Sequence, residues 1–100
     1  MNQFLGKTVV ISGGAEGIGF GIASAMGKQG MNVVLGDIDA SQLDIARTKL
    51  ESESINVLTV QMDVTSISQW QNLADKAIER FGKVHMLVNN AGVGSIPGTI

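Results

Sequence analysis

The sequence predicts an α/β fold: a doubly wound parallel sheet represented by its first four strands and three helices, and so an incomplete sheet. Four short apolar runs carry this, from Thr8 to Ile11, Asn32 to Leu35, Val57 to Val60 and Val84 to Val88. Runs that are apolar on both faces suit strands buried in a parallel sheet. Between them lie segments with three- and four-residue apolar spacing, which gives the order β-α-β-α-β-α-β. That order demands right-handed crossovers and covers both faces of an open sheet with helices.

The first strand runs into SGGAEGIGFG, Ser12 to Gly21, which holds five glycines in ten residues. Glycine in a helix costs about 1 kcal/mol relative to alanine, so this stretch serves something other than stability. A group that approaches the main chain closely would require it. From Gly17 to Gln29 the apolar positions Ile18, Ile22, Ala25 and Met26 mark a first helix, and Gly30 stands where a left-handed C-terminal cap belongs. Asp39 caps a second helix, with Gln42 three residues on and Leu43, Ala46 and Leu50 as its buried stripe. Thr65 or Ser66 opens a third, in which Ile67, Trp70, Leu73, Ala74, Ala77, Ile78 and Phe81 recur until Gly82 ends it. After Asn89 the chain reads NAGVGSIPGTI, a loop rich in glycine with the only proline.

One hundred residues make one small domain, a size that buries roughly 60 to 70% of the unfolded surface. The 44% hydrophobic and 16% charged content argues against disorder. A net charge of -2 with scattered lysines leaves no basic stripe for a nucleic acid. Without cysteine, and with a single histidine, His85, no metal site is expected. No run approaches the ~18 apolar residues that span a bilayer, and the N-terminus lacks a signal-peptide pattern, so no membrane partner and a cytoplasmic location are expected. His85 reads as a surface residue, and Trp70 and the five methionines as packing.

A loop that leaves the C-terminal end of a first parallel strand and opens a helix presents unpaired N–H groups and the positive end of the helix dipole. It is an anion site. The spacing then selects among nucleotide loops. Gly14 and Gly19 have the gap of a P-loop, but Phe20 and Gly21 follow in place of Lys and Ser or Thr. The dinucleotide pattern G-x-G-x-x-G fails as well, because Ile22 holds the place of its third glycine. G-x-x-x-G-x-G fits, filled by Gly13, Gly17 and Gly19.

With that loop the sequence resembles the short-chain dehydrogenase/reductase family. Three further pieces match the family's pattern in order: Asp37 after the second strand, Asp63-Val64 after the third, and Asn89-Asn90-Ala91-Gly92 after the fourth. All four fall at the carboxyl ends of strands, where open α/β sheets bind ligands. The resemblance implies a Rossmann-type NAD(P)-binding domain of which residues 1–100 are the N-terminal part, and an oxidoreductase that moves hydride between the cofactor and an alcohol or carbonyl substrate. It also implies a homo-oligomer for the full-length protein.

Asp37 lies about twenty residues beyond the glycine loop, where a carboxylate accepts hydrogen bonds from the adenosine ribose. A 2′-phosphate there would meet like charge, about 4 kcal/mol at 4 Å for an effective dielectric near 20. Glu16 stands where family members that prefer NADP often carry a basic residue, so NAD is the expected cofactor. Gly14 and Ala15 complete the loop. By resemblance, Asp63 meets the adenine amino group with the Val64 backbone alongside, and Asn90, Ala91 and Gly92 line the ribose on the nicotinamide side. Ile18 either touches the nicotinamide or belongs to the core. Asp37 also suits a turn, Asp63 a helix cap, and Asn89 and Asn90 bracing of the sheet.

The family's catalytic Tyr-x-x-x-Lys pair and its upstream serine have no counterpart, since the chain contains no tyrosine. The catalytic part is therefore expected beyond Ile100, and these 100 residues alone are expected to be inactive, marginally stable or prone to aggregation. Two other readings remain open on the residues: a non-catalytic dinucleotide-binding or interaction module, and a methyltransferase, whose glycine loop is tighter and which leaves the Asn-Asn-Ala-Gly run unexplained.

Overall fold

In a computed structural model, which describes residues 3–90, the seven elements appear in the expected order. They are β1 (Thr8–Ser12), α1 (Gly17–Lys28), β2 (Asn32–Asp37), α2 (Ala40–Ser52), β3 (Val57–Gln61), α3 (Ile67–Phe81) and β4 (Met86–Asn89). The strands form one parallel sheet in the order β3-β2-β1-β4. Chain order reverses beside β1, and the gap between the β1 and β4 ends is the place where such sheets take ligands.

Strand alternation divides the core. Val9, Ile11, Val33, Leu35 and Val57 face α1 and α2, where they meet Ala23, Leu43, Ala46 and Leu50. Val10, Val34 and Val60 face α3 and meet Leu73 and Ala77. The helix ends follow the sequence. Gly30 and Gly82 take positive φ past α1 and at the end of α3, and Asp39 accepts the N–H groups of Ser41 and Gln42. Ser66, not Thr65, caps α3 by accepting from the Gln69 N–H.

Three expectations change. Of the expected α1 stripe, Ile18 and Ala25 are exposed, and the buried positions are Gly19, Ala23 and Gly27. The reason is proximity: a Cβ on Gly27 would stand 2.6 Å from Ile55 Cγ2, so the helix meets its neighbours through its smallest residues. On α3, Ile67 and Ile78 are exposed. Ile78 borders an open apolar hollow of about 170 Å³ shared with Val10, Trp70, Leu73, Val84 and Leu87, since among the described residues only α3 covers this face. Finally, β4 begins at Met86, because Val84 and His85 form a junction in which the His85 ring does the work of a strand carbonyl.

No helix among the described residues is long and apolar enough to cross a membrane.

Candidate functional site

The glycine loop leaves β1 at its carboxyl end and is fixed from three sides. The Gly13 N–H donates to the Gly36 carbonyl on β2 at 2.7 Å. The Asn90 side-chain amide donates to the Gly13 carbonyl at 3.2 Å. The Ala15 N–H donates to Asp37 Oδ2 at 3.3 Å. Gly13 and Gly17 take φ of 66° and 63°, a region that residues with a Cβ rarely adopt. Gly14 is buried against Leu35 and Ile11. At Gly19 an added Cβ would stand 2.2 Å from the Gly13 carbonyl oxygen, so the first turn of α1 lies directly on the loop.

Glu16 is the N-cap residue of α1, extended, and makes no side-chain cap. It is exposed, as is Ile18 at 76%. A helix start with no capping side chain leaves its first N–H groups open to an anion. Exposure removes Ile18 from the core, the plainer of its two readings.

At the end of β2, Asp37 is bonded on both oxygens: Oδ2 takes the Ala15 N–H and Oδ1 the Asp39 N–H. It is at once the turn residue and a tie to the glycine loop. Beyond β3, Asp63 Oδ1 accepts both the Thr65 hydroxyl at 2.7 Å and the Thr65 N–H at 2.9 Å. The hydroxyl first, then the N–H, holds the Asp63 carboxyl below its ordinary range. Asp37, Ile38, Met62, Asp63 and Val64 line a hollow of about 230 Å³, so the ends of β2 and β3 share one wall.

Asn89 and Asn90 divide their tasks. Ser12 Oγ donates to Asn89 Oδ1 at 2.9 Å, which braces β1 to β4, while Asn90 reaches the glycine loop. Ala91 and Gly92 lie outside the described residues.

Several contributors were not legible in the sequence. Ser12 is fully buried. His85, although exposed, accepts the Thr8 N–H on Nδ1 at 3.0 Å. Gln69 Oε1 accepts the Asp63 N–H at 2.6 Å, and the Trp70 indole N–H donates to the Val64 carbonyl at 2.8 Å. Trp70 is packing, as expected, and a hydrogen-bond donor as well. The only hint of these contacts was the position of Gln69 and Trp70 in the first turn of the helix that follows Asp63-Val64.

Comparison with known proteins agrees with this geometry. The family model for short chain dehydrogenases matches residues 7–100. A 3-alpha-(or 20-beta)-hydroxysteroid dehydrogenase of Mycobacterium tuberculosis is 40% identical over 99 residues, covering 98% of this chain and 36% of that relative. A short chain dehydrogenase/reductase from Burkholderia phymatum, solved in complex with NAD, is 40% identical with a TM-score of 0.83, over 87% of this chain and 31% of that one. An actinorhodin polyketide ketoreductase variant, solved with NADPH, is 30% identical with a TM-score of 0.83, over 87% and 33% of the two chains. The chain spans about a third of the length of the curated relatives it matches. With a family model matched over nearly its whole length and a fold shared with a solved member at 40% identity, the chain belongs to the short-chain dehydrogenase/reductase family.

Proposed function

We propose that residues 1–100 form the N-terminal, cofactor-binding part of an NAD-dependent oxidoreductase that interconverts an alcohol and its carbonyl compound. The observation that carries this is the joining of the strand ends: the glycine loop of β1 is bonded to Asp37 of β2 and to Asn90 beyond β4. Asp63 lies on the same wall as Asp37. The residues fit a dinucleotide, since bare backbone at Gly19 and the uncapped start of α1 suit a pyrophosphate.

Asp63 Oδ2 and the Val64 N–H have no partner among the described residues. Side by side they offer an acceptor and a donor, the complement of the amino group and ring nitrogen of adenine. Asp37, fixed by two backbone N–H groups, sets its carboxylate where an adenosine ribose would lie, and the acidic Glu16 stands in the same loop; both favour NAD over NADP. When bound, the nicotinamide supplies the hydride chemistry, and the chain's residues supply orientation and electrostatics.

The test is titration of the protein expressed from its full reading frame with NAD and NADP. Tighter binding of NAD, by about tenfold or more, supports the reading. Binding of neither nucleotide overturns it, and equal or tighter binding of NADP overturns the preference.

A further inference from the structure

The side chains that hold Asp63-Val64 come from the next helix. Gln69 Oε1 takes the Asp63 N–H, the Ser66 N–H donates to the Asp63 carbonyl, and the Trp70 indole N–H donates to the Val64 carbonyl. Thr65 holds Asp63 Oδ1 through both its N–H and its hydroxyl. Every hydrogen-bonding group of this dipeptide is thereby engaged except two, Asp63 Oδ2 and the Val64 N–H, among the described residues. Both belong to residues that line the hollow at the ends of β2 and β3.

We infer that Gln69 and Trp70 are positioning residues for recognition of the base: they hold the Asp63-Val64 acceptor–donor pair in register, so that the site selects a 6-aminopurine over a 6-oxopurine. This rests on the reading of the site as a dinucleotide site. An aminopurine presents a donor beside an acceptor. An oxopurine reverses both and sets an oxygen against the Asp63 carboxylate. Selection therefore depends on two atoms kept at fixed spacing, and loop backbone outside a strand or helix keeps such spacing only where something ties it down. Gln69 and Trp70 lie one turn into α3, on the face that buried Leu73 and Ala77 anchor in the following turns. The rigidity of the helix is passed to the dipeptide.

The experiment compares NAD with nicotinamide hypoxanthine dinucleotide on the protein from its full reading frame, measuring Kd for each. The variants are Trp70→Phe, Gln69→Met and Gln69→Glu. Trp70→Phe keeps the ring and loses the donor. Gln69→Met keeps length and loses the acceptor, and because Gln69 is exposed the substitution disturbs no core residue and is expected to leave the fold intact. Each is expected to reduce the preference for NAD over the hypoxanthine nucleotide by about three- to tenfold, the effect of one lost hydrogen bond. Affinity for the hypoxanthine nucleotide should change little. Gln69→Glu, which retains an acceptor oxygen, should retain the preference.

Equal weakening of both nucleotides would mean that the two side chains only support the fold, and would overturn the inference. An unchanged preference in Trp70→Phe and Gln69→Met would overturn it as well, leaving the nucleotide site intact. Failure of the unsubstituted protein to bind NAD would overturn the underlying reading and the inference together.

Discussion

The Asn90 amide and the Gly13 carbonyl meet at 3.2 Å, which ties the end of β4 to the first turn of the glycine loop. A Cβ on Gly19 would stand 2.2 Å from that same carbonyl oxygen and 3.0 Å from Asn90 Nδ2. Backbone cannot yield as a flexible side chain does. Gly19→Ala is therefore expected to displace the loop and weaken NAD binding by about tenfold or more. Gly21, two residues on, has nothing within 4 Å of an added Cβ. Gly21→Ala should leave affinity unchanged and stabilise α1 by about 1 kcal/mol. Calorimetric titration and thermal melts check both, and equal effects of the two substitutions would contradict the assignment of close approach to Gly19.

Asp37→Asn keeps an oxygen for one of the two N–H groups and removes the charge. The preference for NAD over NADP should fall by about tenfold, mainly through tighter NADP binding, as read from paired titrations. A loss of NAD affinity with no gain for NADP would mean that Asp37 acts through the loop contact alone.

Gly27 lets α1 approach Ile55, whose Cγ2 and Cδ1 would lie 2.6 and 2.7 Å from an added Cβ. Overpacking of this kind costs about 1–3 kcal/mol, so Gly27→Ala should destabilise despite the better helix propensity of alanine. With Ile55→Ala in the same chain the two effects should fall short of additive in denaturant unfolding. Full additivity would show that the helix moves instead of pressing on Ile55.

His85 Nδ1 is the partner of the N–H of fully buried Thr8. His85→Leu leaves that donor unpaired at the β1–β4 junction, at a cost of about 1–3 kcal/mol. His85→Asn, which retains an acceptor, should recover part of it. Equal losses in the two variants would indicate that the ring matters only as packing.

Asp39 has a lowered pKa, first through the Ser41 hydroxyl and then through the Gln42 N–H. A group more acidic when folded stabilises the fold fully above its unfolded value, near pH ~4, and loses that contribution as pH falls through the folded value. Melting temperatures of the wild type and Asp39→Asn should therefore differ most near neutral pH and converge in acid. Parallel curves down to the lowest pH would remove the Asp39 carboxylate from the acid limb. Asp63, held low by Thr65, follows the same sign.

Much of this protein was fixed by local rules that the chain carries openly. Strand runs of Val, Ile and Leu, the cap at Asp39 and the glycines at 30 and 82 place every element, because each depends on neighbours within one turn or one strand. The glycine spacing and the acidic and Asn-rich strand ends pointed to the family for the same reason. Tertiary structure decided what depends on residues distant in the chain. It set which face of α1 is buried: hydrophobicity favoured Ile18 and Ala25, but the closeness of Ile55 and the Gly13 carbonyl gave the interface to Gly19, Ala23 and Gly27. It likewise joined His85 to Thr8, Asn90 to Gly13 and Asp37 to Ala15, 77, 77 and 22 residues apart. No periodicity encodes such pairs, because a hydrogen bond between strand ends depends on sheet order and register, which exist only once the strands have paired.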